Sequence, residues 1–197
     1  EEEVNTLPQG TLEKVYTIPG ILPSDLNLKI QYTYPVARDD WKAQLNLQLM
    51  RDVIHTRLWE LRHVKKRGLY LIQAVAYTDL DLQRGNFAIM IPTVAGMENY
   101  LIKDMQELMS WFKEHPISEK ELDAIKSRFY IVGITGKSIL DKGYRYYKWG
   151  LQIPDAEMVK AYLEGVTPRD IQAFIQDKLV PEHQYIFMGK GVPDISN

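Results

Sequence analysis

The sequence predicts an α+β fold, an antiparallel or mixed β-sheet packed with helices, and three observations carry that prediction. Apolar residues alternate with period two in several segments, they recur at three- and four-residue steps in others, and the helical segments gather in the second half. The resulting order is strand, strand, helix, strand, strand, several helices, strand. A doubly wound α/β fold would need regular alternation instead. With 197 residues the chain is long enough to bury a core without covalent staples, and it reads as residues 1–13 forming a linker and 14–197 forming one domain.

Pro8 and Gly10 with little periodicity mark the linker. Lys14 to Ile18 form a short strand closed by Pro19-Gly20. After Pro23, Leu26, Leu28, Ile30, Tyr32 and Tyr34 alternate with polar residues, the pattern of a strand with one buried face. Pro35 stops it, and Asp39 or Asp40 caps a long helix whose first apolar residue is Trp41. Leu47, Met50, Ile54, Leu58 and Leu61, flanked by Leu45, Leu49 and Val53, give that helix an apolar face wide enough to lie on a sheet. Lys65 to Arg67 and Gly68 end it.

Strands Leu69 to Tyr77 and Asn86 to Pro92 follow, joined through the polar stretch Asp79 to Gly85. Ala74 and Ala76 would let a helix approach one face, with Leu71, Val75 and Tyr77 filling the other, so both faces are expected to be covered. Met97, Leu101, Met105, Leu108 and Phe112 make an amphipathic helix that Pro116 terminates. Ser118 and Glu121 form a capping box opening a helix that continues toward Trp149 despite three glycines. A shorter helix spans Asp155 to Glu164, Thr167-Pro168-Arg169-Asp170 opens one through Leu179, and Gln184 to Met188 make the last strand.

Composition narrows the functional classes. There are no cysteines, so His, Asp and Glu are the only transition-metal ligands available. Lys and Arg number 24 against 26 Asp and Glu, a net charge of −2, which gives no global field for nucleic acid. No apolar run approaches the ~20 residues that span a bilayer. The start, Glu1-Glu2-Glu3-Val4, has neither initiator Met nor signal segment and reads as a cut within something longer.

Four motif-like features lose to plainer readings. His55 and His63 stand eight apart on one helix, about 12 Å, too far to share a zinc ion, and each of the four histidines reads as a surface residue. Trp111-Phe112-Lys113-Glu114-His115 has Trp where the inverted zinc motif needs its first His. Gly136-Lys137-Ser138 ends like a phosphate loop, but Ile131 stands where the first Gly belongs. Tyr144 to Trp149 interleaves aromatics with bases, yet without a basic groove the rings are expected to pack on a neighbour.

Leu61-Arg62-His63, Arg67-Gly68-Leu69-Tyr70, Gly85-Asn86-Phe87, Ile117 to Lys126 and Val166 to Ile171 occur here in an order that resembles the insulinase-type (M16) zinc peptidases from about Lys14 to Lys190. The resemblance implies a LuxS/mitochondrial-processing-peptidase-like metallohydrolase half-domain, one of paired halves that enclose a peptide-degrading chamber. Only one half of such a pair carries His-x-x-Glu-His, and this sequence has no such motif. The resemblance therefore implies a catalytically silent, C-terminal-like domain, with no cofactor of its own, zinc in a homologous partner half, a peptide substrate and an exported or periplasmic location. It implies that Arg62 and Tyr70 reach the substrate, Arg62 toward a carbonyl and Tyr70 toward the tetrahedral oxyanion. They stand eight apart where the family commonly has seven, a slip that turns a strand residue to the other face. Two alternatives remain beside the silent half: a non-enzymic structural or interaction subunit of the same fold, and a nucleotide-binding protein using Lys137. On the bland reading Arg62 is a helix-end cation and Tyr70 sheet packing.

Overall fold

Five strands form one mixed sheet in the order β1-β5-β2-β4-β3. They are β1 (Leu12–Ile18), β2 (Asp25–Pro35), β3 (Gln73–Asp79), β4 (Arg84–Val94) and β5 (Gln184–Gly191). The longer helices are α1 (Trp41–Lys65), α2 (Glu98–Glu114), α3 (Glu119–Val132), α4 (Ala156–Gly165) and α5 (Pro168–Lys178). The computed structural model describes residues 10–19, 21–65, 71–132, 146–151 and 154–191. The expected run of α3 toward Trp149 lies largely outside the described residues.

β2 shows how alternation becomes a layer. Leu26, Leu28, Ile30, Tyr32 and Tyr34 are all buried, while Asn27 between them is exposed and Lys29 and Gln31 are half-buried. The antiparallel register Leu28↔Ile91, Ile30↔Ile89 and Tyr32↔Phe87 puts the apolar residues of β4 on the same face. Helix α1 lies there and buries Leu47, Met50, Val53, Ile54 and Leu58, side chains each stabilising the fold by about 1.5–3 kcal/mol relative to exposure. An ionised carboxylate at Ile54, fully buried, would break this layer because nothing there could solvate it.

Local chemistry fixes the ends of these elements. Asp40 accepts from the Ala43 amide at 2.9 Å and caps α1. Glu121 accepts from Ser118 N at 2.9 Å while Ser118 Oγ accepts from Glu121 N at 3.3 Å. Thr167 and Asp170 repeat that reciprocal box on α5, with Pro168 in the first turn. Between β3 and β4, Asp79 Oδ1 accepts from Leu82 N at 2.9 Å and Gln83 takes a left-handed φ of 52°, a tight turn that sequence places but does not detail.

Three expectations need correction. β1 opens at Leu12, two residues before the expected Lys14, because parallel pairing with β5 runs from Leu12↔Tyr185. β3 begins at Gln73 rather than Leu69, with Leu71 and Ile72 described and outside the strand. The second face of the sheet is open in part: Tyr77 and Met90 are 50% and 44% exposed, while Thr33, Asn86 and Ala88 on the same face are buried. An antiparallel pair can leave one face to solvent, and the polar residues Gln31, Thr33 and Asn86 hydrogen-bond to one another on this one.

Candidate functional site

Helix α1 and strand β3 are the elements meant to carry Arg62 and Tyr70. Two hydrogen bonds align them: Gln48 Nε2 donates to Ala76 O at 3.2 Å, and Ala74 N donates to His55 Nδ1 at 3.3 Å. Later residues on the helix thus meet earlier residues on the strand, so the end of α1 and the entry to β3 lie at one end of the domain. Arg62 belongs to the last turns of α1, but its side chain lies outside what is described, and Tyr70 lies outside the described residues altogether. Because β3 starts at Gln73, strand parity does not extend back to position 70, and the eight-residue spacing does not decide which way that ring faces.

His55 is the residue the sequence misreads. It is half-buried, and its ring accepts an edge-strand amide, which requires Nδ1 to be unprotonated. The signal was available in its place on the strip of α1 that flanks Ile54 and Leu58. One turn earlier Asp52 meets Arg51 Nε at 3.0 Å. Burial raises the Asp52 carboxyl above its usual range, opposed by Arg51, Arg128 and His55. Across the helix, Arg57 Nη2 binds Glu121 Oε1 at 2.6 Å and its guanidinium stands 5.4 Å from the Trp111 ring, so Arg57 ties α1 to both α2 and α3.

A shallow open groove of about 670 Å³ between α1, α4 and α5 is lined by Asn46, Tyr162, Asp170, Phe174 and Asp177. Tyr162 Oη donates to Asn46 there at 2.9 Å, and Asp170 serves the α5 cap. No group of three or more His, Asp or Glu residues is arranged to hold a metal among the described residues. The described residues therefore do not fit a zinc ion. His115 closes α2, stacked on Trp111 with ring centroids 5.2 Å apart. Among the described residues Tyr146 and Tyr147 stand 64% and 90% exposed, while Lys148 reaches Asp81 at 2.7 Å. The Gly136-Lys137-Ser138 stretch lies outside the described residues. No described helix is long and apolar enough to cross a membrane.

Comparison with solved structures puts this arrangement in context. An inactive M16 peptidase domain from Pseudomonas fluorescens superposes over 98% of this chain and 45% of its own, with a TM-score of 0.70 at 19% identity. The chain has the fold of an M16 peptidase half-domain. The first half of the periplasmic protease PqqL from Escherichia coli shares the M16 fold over 96% of this chain and 43% of its own, TM-score 0.72, 10% identity. The ferredoxin protease FusC, solved with Arabidopsis ferredoxin, shares it over 94% of this chain but 20% of its own, TM-score 0.71, 15% identity. The chain thus spans less than half the length of each of these proteins. No family model matches the sequence, and no curated protein sequence does.

Proposed function

We propose that this chain is the catalytically silent half of a zinc peptidase, pairing with a homologous half that supplies zinc and general base, and helping to bind and enclose a peptide. The observation that carries the reading is an M16 half-domain fold over nearly the whole chain combined with a sequence that has no His-x-x-Glu-His. In this reading Arg62 donates to a substrate carbonyl and the Tyr70 hydroxyl donates to the oxyanion of the tetrahedral intermediate. Neither moves a proton; both lower the barrier by placing donors where negative charge develops. An exported location fits a periplasmic neighbour of the same fold.

The test uses the full-length parent protein, whose other half would bear the zinc. Arg62→Ala and Tyr70→Phe are each expected to lower kcat/KM by about tenfold or more while zinc content and melting temperature hold. Unchanged cleavage by the double variant refutes the substrate role. The 197-residue chain alone is expected to cleave no peptide, and zinc-dependent peptidase activity in it would overturn the assignment.

A further inference from the structure

The two edges of the sheet are treated differently. At the β3 edge, α1 takes up outward backbone groups, Ala74 N–H through His55 and Ala76 C=O through Gln48. At the β1 edge no described residue does so: β1 pairs only with β5 in the sheet, and residues Leu12 to Thr17 are all exposed. Three of them are large and apolar, Leu12 at 40%, Val15 at 61% and Tyr16 at 46% exposure. An uncovered apolar edge is a template for another strand.

We propose that β1 pairs antiparallel with β1 of a second copy, joining two sheets across a two-fold axis through Val15. The register follows from the strand itself. Residues directly opposite in an antiparallel pair must have their backbone groups both inward or both outward. In a symmetric pair the two opposed residue numbers therefore sum to an even value. Centring on Glu13 or Lys14 would set identical charges against each other. Centring on Val15, the middle residue of Leu12–Ile18, pairs the whole strand: Val15 with its copy, Lys14 with Tyr16, Glu13 with Thr17 and Leu12 with Ile18. No like charges are opposed, and the Lys14 ammonium faces a ring already stacked on Phe187 at 6.0 Å. The contact is isologous, so it closes at two copies instead of growing into a fibre.

Sedimentation equilibrium across a concentration series tests this on the 197-residue chain, and its failure would leave the zinc-peptidase reading untouched. Wild type is expected to populate a dimer. Val15→Asp, which opposes two carboxylates on the axis, is expected to raise the dimer dissociation constant at least tenfold, as is Tyr16→Lys, which opposes two ammonium groups. Lys14→Glu combined with Tyr16→Lys restores opposite charges and is expected to restore the dimer, which also shows that the variant strand folds. A chain that stays monomeric, a dimer indifferent to Val15→Asp and Tyr16→Lys, assemblies larger than two, or a double variant that fails to re-dimerise each overturns the proposal.

Discussion

Gly85 sits where β4 leaves the turn, against the core. A Cβ there would stand 2.7 Å from Tyr34 Cε2 and 2.8 Å from Val36 Cγ2. Tyr34 is fully buried and Val36 nearly so. The ring is packed edge-on to Phe174, with centroids 6.1 Å apart, and Lys178 lies over it at 5.6 Å. The two neighbours would have to retreat by about 0.6–0.7 Å to reach ordinary contact, and a close-packed core gives little room. Overpacking of this kind costs about 1–3 kcal/mol. Stiffening the unfolded chain by Gly→Ala returns about 0.4–1 kcal/mol. Gly85→Ala should therefore destabilise by about 1–2 kcal/mol, lowering Tm by about 2–8 °C for a chain of this size. Urea unfolding followed by circular dichroism measures it, with Gly165→Ala as the control. Gly165 ends α4 with nothing within 4 Å of its added Cβ, so that change should be neutral or stabilising. Equal stability of Gly85→Ala and wild type would refute the packing argument.

Tyr34 Oη is buried with no hydrogen-bond partner among the described residues, so Tyr34→Phe should leave the urea midpoint unchanged or raise it; a loss above about 1 kcal/mol would show that the hydroxyl is satisfied. Lys126 is buried and donates to Val166 O at 2.6 Å, holding the α4–α5 junction to α3, so Lys126→Met should cost about 1.5–3 kcal/mol in the same assay, and a change below about 0.5 kcal/mol would contradict that role. Hydrogen bonds from the Ser118 backbone hold the Glu121 carboxyl below 4.5, and those from the Thr167 backbone hold Asp170 below 3.8. A carboxyl lowered on folding stabilises above its unfolded value and loses that contribution as pH falls through its folded one, so stability should drop on acidification below about pH 4.5. Asp52, raised by burial, works in the opposite direction. Glu121→Gln with Asp170→Asn should flatten the acid limb of a denaturation-versus-pH curve, and an unaltered limb would refute the assignment.

Legibility followed the physics of each signal. The alternation in β2, the stripe of α1, the Ser118–Glu121 capping box and the Thr167 cap are short-range patterns, and each appears in place. Sheet order is set by long-range pairing, which no local pattern encodes, so the insertion of β5 between β1 and β2 was beyond reach. The covered second face was expected from apolar residues in β3, but Leu71 precedes the strand and Tyr77 is exposed on it, because composition cannot tell a buried face from a bare one. In the sequence His55 reads as a surface group, since hydrogen-bonding to a strand amide leaves no trace in spacing. The candidate pair Arg62 and Tyr70 rests on resemblance alone.

β5 has a consequence for how the chain matures. It pairs in parallel with β1 and antiparallel with β2. Until residues 184–191 have emerged from the ribosome, β1 has no partner and β2 keeps one side bare. The β3–β4 hairpin and the β2–β4 ladder can form during synthesis, but β1 must wait for β5, the strand farthest from it in sequence. Nascent chains arrested before Gln184 should therefore hold α1 against a three-stranded sheet while Leu12, Val15 and Tyr16 remain available to chaperones, and the strand that seats β1 is the one made last of the five.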